Sequence, residues 1–301
     1  MEYAPVALFV YKRPRHTQET VEALLANKGI EETELFVFSD APRNEKDAEE
    51  VKKVREIIKH IKGSKPLHII EQEANKGLAA SIIDGVTSIT KQFGNIIVLE
   101  DDLVTAPYFL TYMNKALELY KNDDQVMHVS AYIPPIKKRL PLTFFYNQAS
   151  CWGWGTWERA WNTFSNNVPE LIKSINDKGG PDAFDMGSTH DFMSQLQQNA
   201  EGIINTWGVK WQAAVFLNNG LCLHPHKSLV QNNGLDWSGE HTGPMPHFLH
   251  QSLAKAFPVK KIELKESIQA YKAMSRFHKT DRNKTKPITL IKSVLKKLIK
   301  K

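Results

Sequence analysis

The sequence predicts an α/β fold: a mostly parallel sheet flanked by helices, then a Trp-rich subdomain and a basic C-terminal helix. Three observations lead there. Short apolar segments alternate with helix-patterned ones through residue 132. The strand candidates are apolar without clean alternation, as in a sheet covered on both faces. Charged, polar or Gly-containing text follows each of the first four, where open parallel sheets bind ligands.

The elements follow in order. "PVALFVY" (5–11) is the first strand, and "TQETVEALLAN" (17–27) has helical spacing behind Thr17 as its cap. "LFVFS" (35–39) is the second strand. Val51, Val54, Ile57, Ile58 and Ile61 share one face of a charged helix. "LHII" (67–70) is the third strand, "GLAASIIDGVTSIT" (77–90) a helix and "IIVLE" (96–100) the fourth strand. Thr105 and Pro107 signal the start of the helix "PYFLTYMNKALELY", and "VMHVSAY" (126–132) is a fifth strand. Past residue 140, "CWGWGTWERAW" (151–161) crowds four tryptophans among glycines, and helical and loop-like pieces follow.

Composition narrows the class. A chain of 301 residues, 42% hydrophobic, has core material for one large domain or two small ones. Lys and Arg exceed Asp and Glu by 39 to 33, a net +6. Lys286, Lys292, Lys296, Lys297, Lys300 and Lys301 account for that whole excess. The basicity therefore belongs to a tail, which argues against nucleic acid as a partner. Cys151 and Cys222 are too few for a disulfide framework and read as free thiols in a reducing compartment. The short apolar run near the N-terminus, with its basic residues behind it, reads as a strand rather than an export signal. No segment approaches the ~18 apolar residues of a membrane span.

The chemistry concentrates in "NIIVLEDDLVTAP" (95–107). Neighbouring carboxylates repel one another unless a cation or proton offsets them. Capping the next helix is the alternative, but Thr105 and Pro107 already serve that start. The other strand ends complete a pattern. Arg13 and Arg15 suit phosphate. Asp40 is able to accept hydrogen bonds from a base or ribose. Asn75 and Gly77 precede a helix whose first amides favour anions. Glu100, Asp101 and Asp102 offer hard oxygens to Mg²⁺ or Mn²⁺. A divalent ion on Asp102 would bridge two phosphate oxygens of a departing nucleoside diphosphate, leaving Asp101 and Glu100 for ribose or sugar hydroxyls.

Together these motifs resemble a GT-A-fold nucleotide-sugar glycosyltransferase of the bacterial family 2-like kind. "VLEDDLVTAPYF" is similar to the metal-binding signature of the N-acetylglucosaminyltransferase I group. "ANKGLAASI" resembles the Asn-x-Gly element of family 2 enzymes, and segment 151–161 their acceptor-side loop. The likeness runs over residues 4–245. It implies Asp40 on uracil, Arg13 near the nucleotide, Asp101 on ribose or donor sugar and Asp102 on Mn²⁺. "THDFMSQLQQNAEG" (189–202) resembles the family's Glu-Asp helix element, with His190 where Glu is usual. "WGVKW" (207–211) resembles its Arg-Trp element, with Lys210 for Arg. Asp191 is then the implied catalytic base, with Glu201, Asp236 and Glu240 as alternatives. His241 matches the C-terminal histidine that many such enzymes bring to the metal or diphosphate.

Trp152, Trp154 and Trp157 are either core residues or, crowded among glycines, a surface for stacking on an acceptor sugar. Residues 228–243 have the polar, Gly-rich makeup of a loop that closes over a ligand. The expected division is 1–140 for nucleotide-sugar binding, 141–245 for acceptor binding and catalysis, and 246–301 as an extension. Within that extension, 286–301 has the spacing of a basic amphipathic helix, for an anionic membrane surface or for docking on the body.

The expected activity is metal-dependent transfer of a sugar, hexosyl or N-acetylhexosaminyl, from a UDP-sugar to a glycan or lipid-linked glycan, with inversion. The expected setting is polysaccharide biosynthesis in the cytoplasm, peripheral to the inner face of the membrane. The alternatives are a sugar nucleotidyltransferase, or an inactive module that binds nucleotide-sugar or membrane.

Overall fold

The computed structural model describes residues 3–64, 66–236 and 251–280. In its first half, β1 (Val6–Val10), β2 (Leu35–Ser39), β3 (Leu67–Glu71) and β4 (Asn95–Glu100) alternate with helices. These are α1 (Pro14–Leu25), α2 (Glu45–Lys59) and α3 (Leu78–Phe93). A short strand β5 (Leu103–Thr105), helix α4 (Phe109–Leu119) and β6 (Val126–Ser130) follow. The second half holds β7 (Thr143–Phe145), β8 (Trp154–Trp157), α5 (Glu158–Trp161), α6 (Val168–Lys178) and α7 (Gly180–Phe184). It continues with α8 (Phe192–Ala200), α9 (Gly208–Leu217), β9 (Leu221–Pro225) and β10 (Val230–Asn232), and a helix spans 268–280.

Eight strands form one sheet in the order β3-β2-β1-β4-β8-β6-β9-β7, and β10 pairs with β5 in a second, two-stranded sheet. The first four strands are mutually parallel, as are β6 and β9, while β8 and β7 run antiparallel to their neighbours. The sheet is thus mostly parallel, as expected. The strand β8 lies inside the stretch that sequence reading treated as a ligand-facing loop, and it bridges β4 and β6.

The apolar strands have their predicted cause. In β1, Val6, Leu8 and Val10 face one core with α1, α2 and α4, while Ala7 and Phe9 face another with α3, α5 and α9. Ile97 and Leu99 of β4 join the first core, Ile96 and Val98 the second. Each strand therefore buries both of its faces, and hydrophobic residues at successive positions are what a period-two backbone requires.

Two helix starts differ from expectation. Helix α1 begins at Pro14, a residue suited to a first turn because its missing N–H would be unpaired there anyway, and Thr17 is buried inside the helix. Helix α4 has no capping side chain of its own, and Thr105 belongs to β5. Its Leu110 N–H instead donates to Oδ1 of Asn27, whose Nδ2 donates to Thr105 Oγ1. No acid of 100–102 caps that helix.

The second half carries its own small cores. Helices α6, α7, α8 and α9 share one, and the 268–280 helix packs Ala270, Ala273 and Met274 against Ile133, Phe144 and Tyr146. Residues 286–301, read as an amphipathic helix, lie outside the described residues. Among the described residues no helix is long and apolar enough to cross a membrane. Both cysteines are free thiols.

Candidate active site

The parallel strands deliver their carboxyl ends to one cleft of about 210 Å³. Arg13, Asp40, Asn75, Gly77, Glu100, Asp101, Asp102 and Trp152 all line it, so residues from five chain segments far apart in sequence meet there. Lys12 and Tyr11, just past β1, are tied to Asp47 of α2 at 2.8 Å each, which fixes the chain where Arg13 departs.

Arg13 is the electrostatic centre. Its Nη2 donates to Asp101 Oδ1, and to Asp102 Oδ2 at 2.8 Å. Asp101 also accepts from the Tyr11 N–H at 3.3 Å, and its carbonyl from Thr20 Oγ1 at 2.9 Å. Burial opposes the charge on Arg13, but the two carboxylates outweigh it and hold the guanidinium pKa above its ordinary value. Among the described residues Glu100 receives no hydrogen bond from Arg13, whose charge acts on it more weakly than the acids do. Burial, then the charges of Asp102 and Asp101, push its carboxyl up to about 8, so at neutral pH it holds its proton and is able to donate a hydrogen bond.

Asp40 has a different task from the one expected. Its Oδ1 accepts from the N–H groups of Ala41 and Lys76, both at 2.9 Å. Its Oδ2 accepts from Gly77 N–H at 2.8 Å and Asn75 Nδ2 at 3.1 Å. A carboxylate has about four acceptor positions. All four are filled by the protein, so Asp40 fastens the Asn75–Gly77 loop to the end of β2 and has no acceptor left for a base or ribose. Gly77 sits at φ +76, a left-handed conformation suited to glycine, and leads directly into α3.

A strip that sequence reading left undivided completes the site. β10 pairs antiparallel with β5 and lays residues 232–236 over the acids. Asn232 lines the cleft, and the Asn233 N–H donates to the Asp102 carbonyl at 2.8 Å. Gly234 N–H donates to Asn232 Oδ1 at 2.7 Å. Farther along, Asp236 meets Arg15 at 2.9 Å and His16 at 3.2 Å, anchoring the strip to α1. Asn232 and Gly234 went unnoticed because their role depends on this pairing. The only sequence signal was the polar, Gly-rich makeup of 228–243.

Other expected site residues fall elsewhere. Trp154 and Trp157 are core residues, a correction to the stacking role considered for them. Trp154 is fully buried, stacked on Trp207 at 5.0 Å with Trp161 and Trp211 around it. Trp157 is buried with its Nε1–H on the Leu117 carbonyl. Only Trp152, set edge-on to Tyr132 at 4.4 Å, reaches the cleft. Asp191 is exposed at the N-terminus of α8, bonded to Gln195 of its own helix, and does not line the cleft. Glu240 and His241 lie outside the described residues.

The family model for glycosyl transferase family 2 matches residues 6–179, more than half of the chain. The chain belongs to that family. Family membership and the sheet's layout make the fold GT-A and the protein a nucleotide-sugar glycosyltransferase. Among solved structures, the glycosyltransferase is similar to the mannosyltransferase PcManGT of Pyrobaculum calidifontis. That structure contains GDP-Man and Mn²⁺; identity is 12%, over 71% of this chain and 70% of that one, with a TM-score of 0.38. It is also similar to mouse xyloside xylosyltransferase 1, at 12% identity over 70% and 80% of the two chains, with a TM-score of 0.37. A UDP-glucose pyrophosphorylase complexed with UDP-glucose shares 11% identity over 74% and 90%, with a TM-score of 0.36. No curated protein matches the sequence.

Among the described residues no three His, Cys, Asp or Glu side chains are grouped to hold a metal. Mg²⁺-like ions need no such cage: one or two carboxylates with substrate phosphates and water suffice. Asp102 meets that need. Its Oδ1 receives no hydrogen bond from the described residues, and a Cβ on Gly234 would stand 2.1 Å from its Oδ2. Only the absence of a side chain at Gly234 lets the backbone approach this carboxylate so closely.

Proposed function

We propose that the glycosyltransferase moves a hexosyl or N-acetylhexosaminyl group from a UDP-sugar to a glycan or lipid-linked glycan, with inversion and with Mn²⁺ or Mg²⁺ held at Asp102. The observation that carries this reading is Arg13 between Asp101 and Asp102 at the mouth of a cleft formed by strand ends. When bound, the metal supplies positive charge to the leaving diphosphate. The chain's own groups do the rest. Arg13 binds phosphate oxygens, and the loop held by Asp40 presents the first amides of α3 to the same anion. Phe9, Phe38 and Leu78 give the cleft an apolar wall suited to the flat base. Asp101 accepts from ribose or donor-sugar hydroxyls, with Glu100 beside it in the same cleft. Trp152 borders the acceptor side.

An acceptor hydroxyl oxygen attacks the anomeric carbon as the bond to the diphosphate breaks, and its proton passes to a carboxylate base. With Asp191 outside the cleft, we assign that base to Glu240, and a diphosphate contact to His241. The amphipathic spacing of 286–301 supports an acceptor held at an anionic bilayer, which sedimentation with anionic vesicles tests directly.

The deciding experiment joins a thermal-shift screen to one variant. A UDP-dependent rise in melting temperature that EDTA abolishes supports the donor and metal assignments. Asp102→Ala should abolish transfer and that rise while leaving the ligand-free melting temperature near its original value. A fully active Asp102→Ala enzyme overturns the reading.

A further inference from the structure

The cluster that would receive the metal already has a cation on it. The guanidinium of Arg13 bridges both acids, and the Arg13 side chain is 19% exposed against 7% for Asp101 and 12% for Asp102. Strand β10 and its continuation close over this pair. The Asn233 N–H is bonded to the Asp102 carbonyl, and the missing side chain of Gly234 is what admits the backbone there. A Cβ at residue 234 would stand 2.6 Å from Arg13 Nη1 as well as 2.1 Å from Asp102 Oδ2.

We infer that Arg13 is an internal counter-cation that keeps Asp102 from divalent metal until a nucleoside diphosphate takes the guanidinium. The inference rests on the donor site proposed above and adds an order to its assembly. The Arg13 N–H at 2.8 Å occupies Asp102 Oδ2, which denies a metal that oxygen and any bidentate grip and leaves it Oδ1 alone. A second cation beside the guanidinium is also repelled. A diphosphate resolves both conflicts. It offers Arg13 a bidentate anionic partner, and its own oxygens supply ligands that the described residues do not group at Asp102. Nucleotide and metal therefore raise each other's affinity, the reciprocity that linkage demands. Gly234 is a positioning residue for this arrangement, because bulk there pushes on both halves of the ion pair.

The test is Mn²⁺ affinity, read from the free-ion electron paramagnetic resonance signal, with and without UDP or GDP. Arg13→Gln should bind Mn²⁺ about ten-fold or more tightly than wild type without nucleotide, and should bind nucleotide more weakly. Arg13→Lys keeps the charge without the planar fork and should fall between them. Nucleotide-free Mn²⁺ affinities for the folded variants that match wild type within about two-fold overturn the counter-cation role. A wild-type arm needs no variant: saturating nucleotide should raise Mn²⁺ affinity above that of the nucleotide–Mn²⁺ complex alone, and equality between them also overturns it. Tight Mn²⁺ binding with nucleotide but unchanged by Arg13 substitution leaves the donor site standing and removes only the latch. Failure of every protein to bind Mn²⁺ with either nucleotide removes both.

Discussion

Glu100 and Asp40 are carboxylates at the carboxyl ends of β4 and β2, the two strands that flank β1, and their surroundings differ. Asp40 accepts four hydrogen bonds, whereas Glu100 stands beside two acids with a pKa pushed up to about 8. The pH consequence has a definite sign. An unfolded Glu titrates at ~4.3. Between that value and about 8 the folded ligand-free protein holds one proton more at this site than the unfolded chain does. The stability that proton represents is complete below the unfolded pKa and is lost as pH rises toward the folded one. Melting temperature measured from pH 5 to 8 should therefore fall more steeply in wild type than in Glu100→Gln. Parallel curves would remove the raised pKa. Asp40→Ala strands three backbone N–H groups and one amide, so it should cost about 2 kcal/mol or more and weaken nucleotide binding by loosening the Asn75–Gly77 loop. Denaturant melts and UDP titration read the two effects separately.

Helices and strands carry the next set of consequences. Asn27 is a cap supplied across space, from beyond the end of α1 to the first turn of α4. Asn27→Ala should cost about 1–2 kcal/mol, comparable to losing a local cap, although nothing near residue 109 in sequence announces it. The tryptophans of 151–161 divide by element in the same way. Trp154 lies within β8, so Trp154→Ala should cost about 3–5 kcal/mol in unfolding free energy. Trp152 precedes the strand and lines the cleft. Trp152→Ala should instead raise KM for acceptor with a melting temperature near that of wild type. If the two variants behaved alike in melts and in acceptor kinetics, the division would fail. Alternation along β8 was hidden because glycines separate the tryptophans, a pattern equally consistent with a loop.

For the whole molecule, the sequence by itself determined the α/β class, the order of the first five principal strands and the four strand ends that meet in the cleft. These are local and repetitive signals: apolar runs of strand length, helical spacing, and polar residues where each strand stops. The family match over 6–179 covers the same region. Tertiary structure decided the rest. Strand β8 enters the sheet only by pairing with β4 and β6, strands that precede it by many residues. Gly234 reaches Asp102 because β10 pairs with β5 across more than a hundred residues of chain. Arg13 bridges Asp101 and Asp102 because parallel neighbours bring their carboxyl ends level. Spacing in the sequence records which residues a strand offers. Which partner takes a charge, fills an acceptor or excludes a side chain is set by long-range pairing, and that information is not local to any stretch of the chain.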